Sequence, residues 1–217
     1  MVSQPIFHQV LLPFLFCITT LSLVVADPTD GFTHVPSPSS NFHQKHYDVP
    51  QNQCYTFSNG IHRFWAYTNK SLTSSNGTRA RCELRIVSLN FDLGNYYTSG
   101  VLQFEGYFYI PSGTSGASIQ QVVSSAITTS QTRVYNGSLT HYLSPTLALN
   151  IYNNWYRFNL IHDVGANNVK IFINGAQKFA GNGQGTGPHY MKIGVYAHES
   201  ASHYLESRWR DIKLLRR

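Results

Sequence analysis

Charge is sparse in this chain: Asp, Glu, Lys and Arg together make up 12% of its 217 residues. Neither a run of Lys and Arg nor a basic amphipathic helix is present, which excludes the usual patterns of nucleic-acid binding. Internal repeats and the periodicity of a long amphipathic helix are also missing. In their place the chain is rich in Tyr, Phe, Gly and Ser, a composition that favours a strand-rich domain. Its formal net charge of +6 can attract polyuronates or small carboxylates.

Cysteine is scarce as well, with three residues. Cys17 lies in the apolar N-terminal segment, and Cys54 and Cys82 have neither metal nor redox spacing. In an oxidising compartment these two can form one disulfide, or they can remain separate buried thiols. The histidines also show no metal-ligand spacing, and the sequence therefore predicts neither a metal site nor a cofactor.

One long apolar run is present, residues 10–26, and it contains no charged residue. It is short for a membrane span, is broken by Pro13 and ends on the small residue Ala26, as signal peptides do. We predict a signal peptide over residues 1–26, with an uncleaved N-terminal anchor as the alternative. Cleavage leaves a chain that begins at Asp27, contains no membrane span and enters the secretory pathway, whose end points include the cell wall, the extracellular space and the vacuole.

Behind this segment the sequence predicts a single domain of ordinary size. Residues 27–46 are rich in Pro, Ser, Thr, Asn and His without periodicity and are predicted to form an irregular lead-in, and residues 47–217 form the domain. Asn-X-Ser/Thr sequons begin at Asn69, Asn76 and Asn136. Together with export they predict a glycoprotein. We expect the domain to be a monomer.

Short strands follow one another through the domain. They are predicted at Ile61–Tyr67, Arg81–Val87, Val101–Ile110, Ser118–Val123, Arg133–Tyr135, Leu139–Tyr142, Trp155–His162, Val169–Ile173, Gln177–Phe179 and His189–His198. Asn136-Gly137 and Asn174-Gly175 are turn signals, because the type I′ turn of a tight hairpin needs positive φ at both central residues. Many short antiparallel strands with such turns favour an all-β sandwich of the jelly-roll type.

Two of these strands separate polar from apolar side chains, because successive residues of a strand point to opposite faces. The polar faces carry Tyr190, Lys192, Tyr196 and His198 on one strand and Arg81, Glu83 and Arg85 on the other. Cys82 falls on the apolar face of its strand. Guanidinium groups suit carboxylates, and Glu83 can orient one of them through a forked hydrogen bond. The alternative interpretation is a salt-bridged outer strand face with no ligand.

Motifs on these strands resemble those of the alginate lyases of polysaccharide lyase family seven. Residues 81–85, RCELR, are similar to the family's R-[ST]-E-x-R, and residues 190–198, YMKIGVYAH, are similar to its Y-F-K-A-G-x-Y-x-Q. A third motif, Q-[IV]-H, appears here as Gln121-Val122-Val123, so that valine stands where the family has its imidazole. The resemblance implies a β-jelly roll of the concanavalin A-like type, in which a concave sheet carries the binding groove.

The sequence also resembles the plant citrate-binding proteins of the same superfamily, over almost the whole length that follows the signal peptide. The matching segments are Ala26–Phe32, Tyr47–Pro50, Gln103–Tyr107, Ile110–Gly116, Arg133–Gly137 and Glu206–Trp209. This resemblance implies a carboxylate-binding protein that holds citrate or a related polycarboxylate on a cationic concave sheet. The expected ligand contacts are Arg81, Glu83, Arg85, Gln121, Tyr190, Lys192, Tyr196 and His198.

The alternative function is a polyuronate lyase, which would cleave an acidic oligosaccharide by β-elimination. In the lyases Arg and Gln neutralise the substrate carboxylate, while His and Tyr transfer protons. With valine at position 123, Tyr196 would have to serve as both base and acid, and losing a general acid or base costs about 10²- to 10⁴-fold in rate. The sequence therefore favours binding over catalysis, and a non-catalytic lectin that binds cell-wall glycans is a further alternative.

Overall fold

The computed structural model describes residues 26–36, 43–45, 49–68, 79–86, 96–124 and 127–217. Nearly all of the predicted signal peptide and the sequons at Asn69 and Asn76 lie outside these ranges. Within the ranges, no helix has the length and apolar character needed to cross a bilayer. The remaining sequon residue, Asn136, lies exposed in a turn.

The described residues form fifteen strands and one 3-10 turn at Gln51–Gln53. The strands are β1 (Thr33–Val35), β2 (His43–Lys45), β3 (Tyr55–Ser58), β4 (Ile61–Tyr67), β5 (Arg81–Ile86), β6 (Val101–Tyr109), β7 (Ala117–Ser124), β8 (Thr128–Tyr135), β9 (Ser138–His141), β10 (Thr146–Ala148), β11 (Trp155–Asp163), β12 (Asn168–Ile173), β13 (Ala176–Asn182), β14 (His189–Ala197) and β15 (Tyr204–Arg216). The eight-stranded sheet has the order β13-β12-β11-β6-β15-β4-β3, with β1 beside β15, and the seven-stranded sheet has the order β10-β9-β8-β7-β14-β5-β2. The predicted all-β jelly-roll sandwich is confirmed.

Tight hairpins join neighbouring strands at both predicted turns. Asn136 and Gly137 between β8 and β9 have φ of 47° and 79°, and Asn174 and Gly175 between β12 and β13 have φ of 51° and 82°. Each turn thus has the pair of positive φ values that the Asn-Gly signal predicts. A further Asn-Gly turn with positive φ at both residues, 59–60, joins β3 to β4 and is not among the predictions.

Several segments differ from the sequence prediction. No strand is predicted over Tyr204–Arg216, yet these residues form β15, the longest of the described strands. Its alternation is broken at Asp211, whose φ of 53° marks a bulge where the register with β6 shifts. β8 begins at Thr128, earlier than predicted. Its first residues are Ser, Thr and Gln, a composition typical of loops, but pairing with β7 holds them in an extended conformation. The lead-in 27–46, predicted to be irregular, contributes β1 and β2, each of which pairs with a longer strand.

The core lies between the two sheets and consists of inward-facing apolar side chains. The rings of Phe104, Phe158 and Trp209 are fully buried and contact one another with centroids 5.4 to 6.1 Å apart. Burial of each such side chain contributes about 1.5–3 kcal/mol. Cys54, next to β3, and Cys82, on β5, form a disulfide with Cα atoms 5.9 Å apart, which links the two sheets.

Gly194 allows the central strand β14 to approach β5 closely. Its φ is +141°, and a Cβ added there would overlap the carbonyl oxygen of Cys82 and lie 2.8 Å from the Cα of Glu83. Only glycine fits this backbone conformation and this space. The residue opposite Glu83 in the β5–β14 ladder therefore has no side chain, which leaves the Glu83 carboxylate accessible to its other neighbours.

Candidate functional site

Three adjacent strands, β5, β14 and β7, bring the predicted polar residues to the outer face of the seven-stranded sheet. On β14, Lys192 pairs with Arg85 on one side and Gln121 on the other, and Tyr196 pairs with Arg81. Strand alternation turns these side chains away from the core. We call this surface the cationic face, and its residues are Arg81, Glu83, Arg85, Ser118, Gln121, Gln131, Arg133, Tyr190, Lys192, Tyr196 and His198.

Glu83 lies at the centre of the cationic face, with a side chain that is 3% exposed. Its carboxylate accepts a hydrogen bond from the Gln121 carboxamide, and the Nζ of Lys192 lies 3.2 Å from it. The Nη1 of Arg81 lies 3.6 Å from the same carboxylate. The buried carboxylate thus holds an amide, an ammonium and a guanidinium around one point. Each of these groups interacts with the charged carboxylate, and such charge-assisted contacts are stronger than neutral hydrogen bonds.

A second group of polar residues extends the site onto β8 and is absent from the sequence prediction. The Nε2 of Gln131 donates to the Oε1 of Gln121 over 3.0 Å, and the Nε of Arg133 donates to the Oε1 of Gln131 over 2.8 Å. Both Gln carboxamides are therefore fixed in orientation, because the oxygen and the nitrogen of each are hydrogen-bonded. The period-two spacing of Gln131, Arg133 and Tyr135 is the sequence signal that could have found this group.

Aromatic rings hold the arginines of the cationic face. The guanidinium of Arg85 lies 4.0 Å from the ring centroid of Tyr190 and 4.2 Å from that of Tyr96, and these two rings meet edge to face. The guanidinium of Arg81 lies 4.2 Å from the ring of Tyr196. Cation–π contact with these rings restricts the position of each guanidinium. Tyr96 is a further site residue that the sequence does not predict.

His198 lies at the end of the cationic face, just past the last residue of β14. Burial, together with the charges of Arg133 and Arg79, lowers the pKa of His198 to about 4, so that its imidazole is neutral at pH 7. Its Nε2 is 2.8 Å from the Oγ of Ser118, and its ring meets the ring of Tyr196 edge-on at 5.4 Å. The imidazole is therefore a polar neutral group at this site and adds no positive charge.

Positive charge exceeds negative charge on this surface. Among the described residues of the cationic face, four cations, Arg81, Arg85, Arg133 and Lys192, face the single carboxylate of Glu83, which leaves a formal charge of +3 with His198 neutral. Three of the cations are nearly buried: Arg85 and Lys192 are each 8% exposed, and the side chain of Arg81 is 11% exposed.

Val123, at the position of the family's imidazole, lies on β7 two residues beyond Gln121. It is half-buried and pairs with Tyr190 on β14 and Thr128 on β8. A valine side chain cannot transfer a proton. Gln121 and Tyr196, two other positions at which the resemblance implies a role, both lie on the cationic face.

A sequence model of the alginate lyase family matches residues 22–216, and the chain belongs to that family. Solved structures show the same fold. The family 7 alginate lyase AlgAT5 has a TM-score of 0.63 at 16% identity, covering 82% of this chain and 98% of that one. The family 7 alginate lyase AlyA1 from Zobellia galactanivorans has a TM-score of 0.60 at 16% identity, covering 86% of this chain and 94% of that one.

Among characterised sequences the chain is similar to the citrate-binding protein of Hevea brasiliensis. The two are 45% identical over 218 aligned positions, which cover 93% of this chain and 89% of the relative. The resemblance to both alginate lyases and plant citrate-binding proteins is confirmed by these matches.

Proposed function

We propose that this chain is a carboxylate-binding protein that holds citrate or a related polycarboxylate on the cationic face. The observation that carries the proposal is the convergence of Arg81, Lys192 and Gln121 on the buried Glu83 carboxylate, beside the ring-bound guanidinium of Arg85, which groups donors for carboxylates on one face. A carboxylate ligand that accepts hydrogen bonds from several of these donors would be held by charge-assisted bonds, which are the stronger kind. The similarity to a protein named for citrate binding supports the same ligand class.

The geometry suits a compact ligand with several carboxylates. Arg81 and Arg85 present planar guanidiniums that are fixed by aromatic rings, and each can donate a forked pair of hydrogen bonds to one carboxylate. Lys192, between them on the central strand, supplies a point charge for another. Two guanidiniums and an ammonium complement the three carboxylates of citrate.

Isothermal titration calorimetry on the full secreted chain tests this proposal with citrate, malate and oligouronates. We expect saturable binding of citrate, and a loss of about 10- to 100-fold in affinity on Lys192→Met, because a hydrogen bond to a charged group contributes about 1.5–3 kcal/mol. Lys178→Met is the matched control, since Lys178 is exposed on β13 of the other sheet. Absence of saturable heat with all these carboxylates would contradict the proposal.

A polyuronate lyase is the second candidate, because Tyr196 is retained with the Arg81 guanidinium over its ring. β-Elimination creates an unsaturated uronyl end that absorbs in the ultraviolet, so a panel of uronans can be assayed directly. A binding protein forms no product, and the missing imidazole at position 123 would slow any elimination by about 10²- to 10⁴-fold. Product that is formed by the wild type and abolished in Tyr196→Phe would replace the binding proposal with an enzyme.

Cleavage after Ala26 and passage through the secretory pathway are part of the proposal. Asp27 lies against the eight-stranded sheet, where its carboxylate accepts a hydrogen bond of 2.8 Å from the Nη2 of Arg157, which holds the pKa of Asp27 well below its usual range. Its backbone nitrogen donates to Asp30 over 2.9 Å, so an amino terminus created here is held in place. N-terminal sequencing of the exported protein should begin at Asp27; a sequence beginning elsewhere would show that this cleavage site is wrong.

A further inference from the structure

The outer face of the eight-stranded sheet carries a second ordered array of arginines and aromatic rings. Backbone register places Trp155 of β11 opposite Tyr109 of β6, Tyr109 opposite Arg208 of β15, and Arg208 opposite Arg63 of β4. Adjacent strands are about 4.8 Å apart, so this row of four residues extends across about 14 Å of the sheet. The neighbouring row places Tyr107 of β6 opposite Arg210 of β15. We call these six residues, Trp155, Tyr109, Arg208, Arg63, Tyr107 and Arg210, the Arg–aromatic face.

Each arginine of this face lies against a ring, and that of Arg63 is the ring of Trp65, 5.1 Å from its guanidinium. The guanidinium of Arg210 is 4.7 Å from the ring centroid of Trp155 and 5.4 Å from that of Tyr107. The guanidinium of Arg208 is 5.1 Å from the ring of Tyr109. These contacts order long side chains that would otherwise move freely, so less conformational entropy is lost when a ligand binds.

A buried carboxylate beneath the surface fixes two of these arginines. The side chain of Glu206 is 3% exposed, and its oxygens accept hydrogen bonds of 2.7 Å from Arg63 and 2.6 Å from Arg208. Burial alone would raise the pKa of Glu206, but hydrogen bonds from Arg63, Tyr204 and Arg208 outweigh that effect and lower the pKa, so the carboxylate is ionised at neutral pH. The array is therefore preorganised in the absence of a ligand.

The guanidiniums of this face meet solvent. The side chains of Arg63, Arg208 and Arg210 are 44%, 37% and 42% exposed, and of the two carboxylates that they contact, Glu206 is buried and Asp211 is exposed. The formal charge of the three arginines with these two carboxylates is +1, and the charge at the surface itself is more positive because Glu206 lies beneath it.

We infer that the Arg–aromatic face binds an acidic polysaccharide, a chain of uronic acid residues, independently of the cationic face. A pyranose ring presents an apolar face of C–H groups that stacks on an aromatic ring, and each uronic acid residue adds a carboxylate that a guanidinium can bind through paired hydrogen bonds. Along the row of strands two rings, Trp155 and Tyr109, are followed by two guanidiniums, Arg208 and Arg63, over about 14 Å, so a polymer of several sugar residues can contact both kinds of group. A small acid would meet only one or two of these groups.

The two sites are separated by the core of the sandwich. Arg208 and Arg210 point outward from β15, while Trp209 between them is fully buried in the core that the two sheets share. The cationic face lies on the far side of that core, on β5, β7 and β14. Substitutions on one face therefore leave the contacts of the other unchanged.

Affinity electrophoresis of the full secreted chain through gels containing polygalacturonate tests the inference. We expect retardation of the wild type, and a weakening of about two- to fivefold in each of Trp155→Ala and Arg210→Gln, as loss of one solvent-exposed cation–π contact implies. Lys170→Gln is the matched control, because Lys170 is an exposed cation on β12 of the same sheet, opposite Ile161 and therefore six residues along β11 from Trp155. Lys192→Met should keep full retardation, and Arg210→Gln should keep full citrate affinity.

Each other outcome overturns the inference. Retardation that is lost in Lys192→Met would place the polymer on the cationic face, and equal retardation in gels of a neutral galactan would show that carboxylates are not recognised. Concentration-dependent dimerisation in sedimentation that is abolished by Trp155→Ala would show that a second copy of the chain occupies the face. Arg210→Gln alters one exposed side chain, so its result decides the matter even if Trp155→Ala does not fold. Failure of citrate binding, by contrast, would leave this inference standing.

Discussion

The cationic face and the Arg–aromatic face are built on the same plan and differ in burial. Each has a glutamate that is 3% exposed, Glu83 or Glu206, with cations arranged around it. On the cationic face Arg85 and Lys192 are 8% exposed, whereas the arginines of the other face are 37–44% exposed. The same residue types therefore produce an enclosed group of charges in one sheet and an open array in the other.

Neighbouring side chains account for this difference. On the cationic face the carboxamides of Gln121 and Gln131 link β7 to β8 and pack beside the cations, so that charge is surrounded by protein. On the Arg–aromatic face the neighbours are rings such as Trp155, which lie beside guanidiniums that remain in contact with water. Enclosed charge favours a compact anion, because the ligand replaces water completely, and an open array favours a polymer that can make many weak contacts.

Gly194→Ala should have the largest effect, and it acts where β14 approaches β5 beneath the cationic face. The added Cβ overlaps the Cys82 carbonyl at a φ that alanine rarely adopts, and we expect a loss of about 3–5 kcal/mol in the free energy of unfolding. Chemical denaturation checks this value. Gly175→Ala is the control, since its φ is also positive but no atom lies within 4 Å of the new Cβ; it should cost about 1–2 kcal/mol. Equal losses in the two variants would show that the close approach of β14 to β5 is unimportant.

The paired variants Glu83→Gln and Glu206→Gln compare the two buried glutamates directly. Glu83→Gln leaves nearly buried cations without their carboxylate and should cost about 3–5 kcal/mol, whereas Glu206→Gln should cost less, because water can solvate the exposed Arg63 and Arg208. Citrate should raise the melting temperature of Glu83→Gln more than that of the wild type, since the ligand supplies the missing negative charge.

Differential scanning fluorimetry with and without citrate checks both parts of this prediction. Glu206→Gln serves as the control for the citrate effect, because Glu206 belongs to the other sheet. Citrate should raise the melting temperature of this variant by as much as it raises that of the wild type. An equal loss of stability in both variants would contradict the contrast in burial that distinguishes the faces.

The sequence predicts strand faces well where alternation is regular. Arg81, Glu83 and Arg85 on one strand, and Lys192 and Tyr196 on another, are grouped on a common face from period-two spacing alone, and the structure brings them together. That grouping concerns position; their role as ligand contacts stays a prediction. The Asn-Gly turns are also confirmed, because they depend on local backbone conformation.

The parts that the sequence does not predict depend on contacts between distant segments. β15 contains a bulge at Asp211 that interrupts its period, so the longest described strand, which carries Arg208 and Arg210, is not predicted. Gln131 lies in a Ser/Thr-rich stretch that becomes a strand through pairing with β7. Tyr96 precedes β6 outside any predicted strand and reaches Arg85 only through the tertiary fold. For Gln131 the period-two spacing with Arg133 is a local signal, but the loop-like composition of the stretch obscures it.

The smallest predicted effect is a dependence of stability on pH that distinguishes the two faces through His198. Its pKa of about 4 in the folded state lies below the ordinary value of 6.5, so the unfolded chain binds more protons between these values. Stability from His198 is therefore full above about pH 6.5 and is lost as the pH falls toward 4. We expect His198→Gln to reduce the loss of stability between pH 7 and pH 5 by about 1 kcal/mol, as judged by urea denaturation at both values.

His203→Gln, at an exposed position near the other face, should leave this loss of stability unchanged. Since Arg133 is one cause of the lowered pKa, Arg133→Gln should also reduce the loss; an unchanged loss in both His198→Gln and Arg133→Gln would show that the cationic face does not disfavour the protonated imidazole.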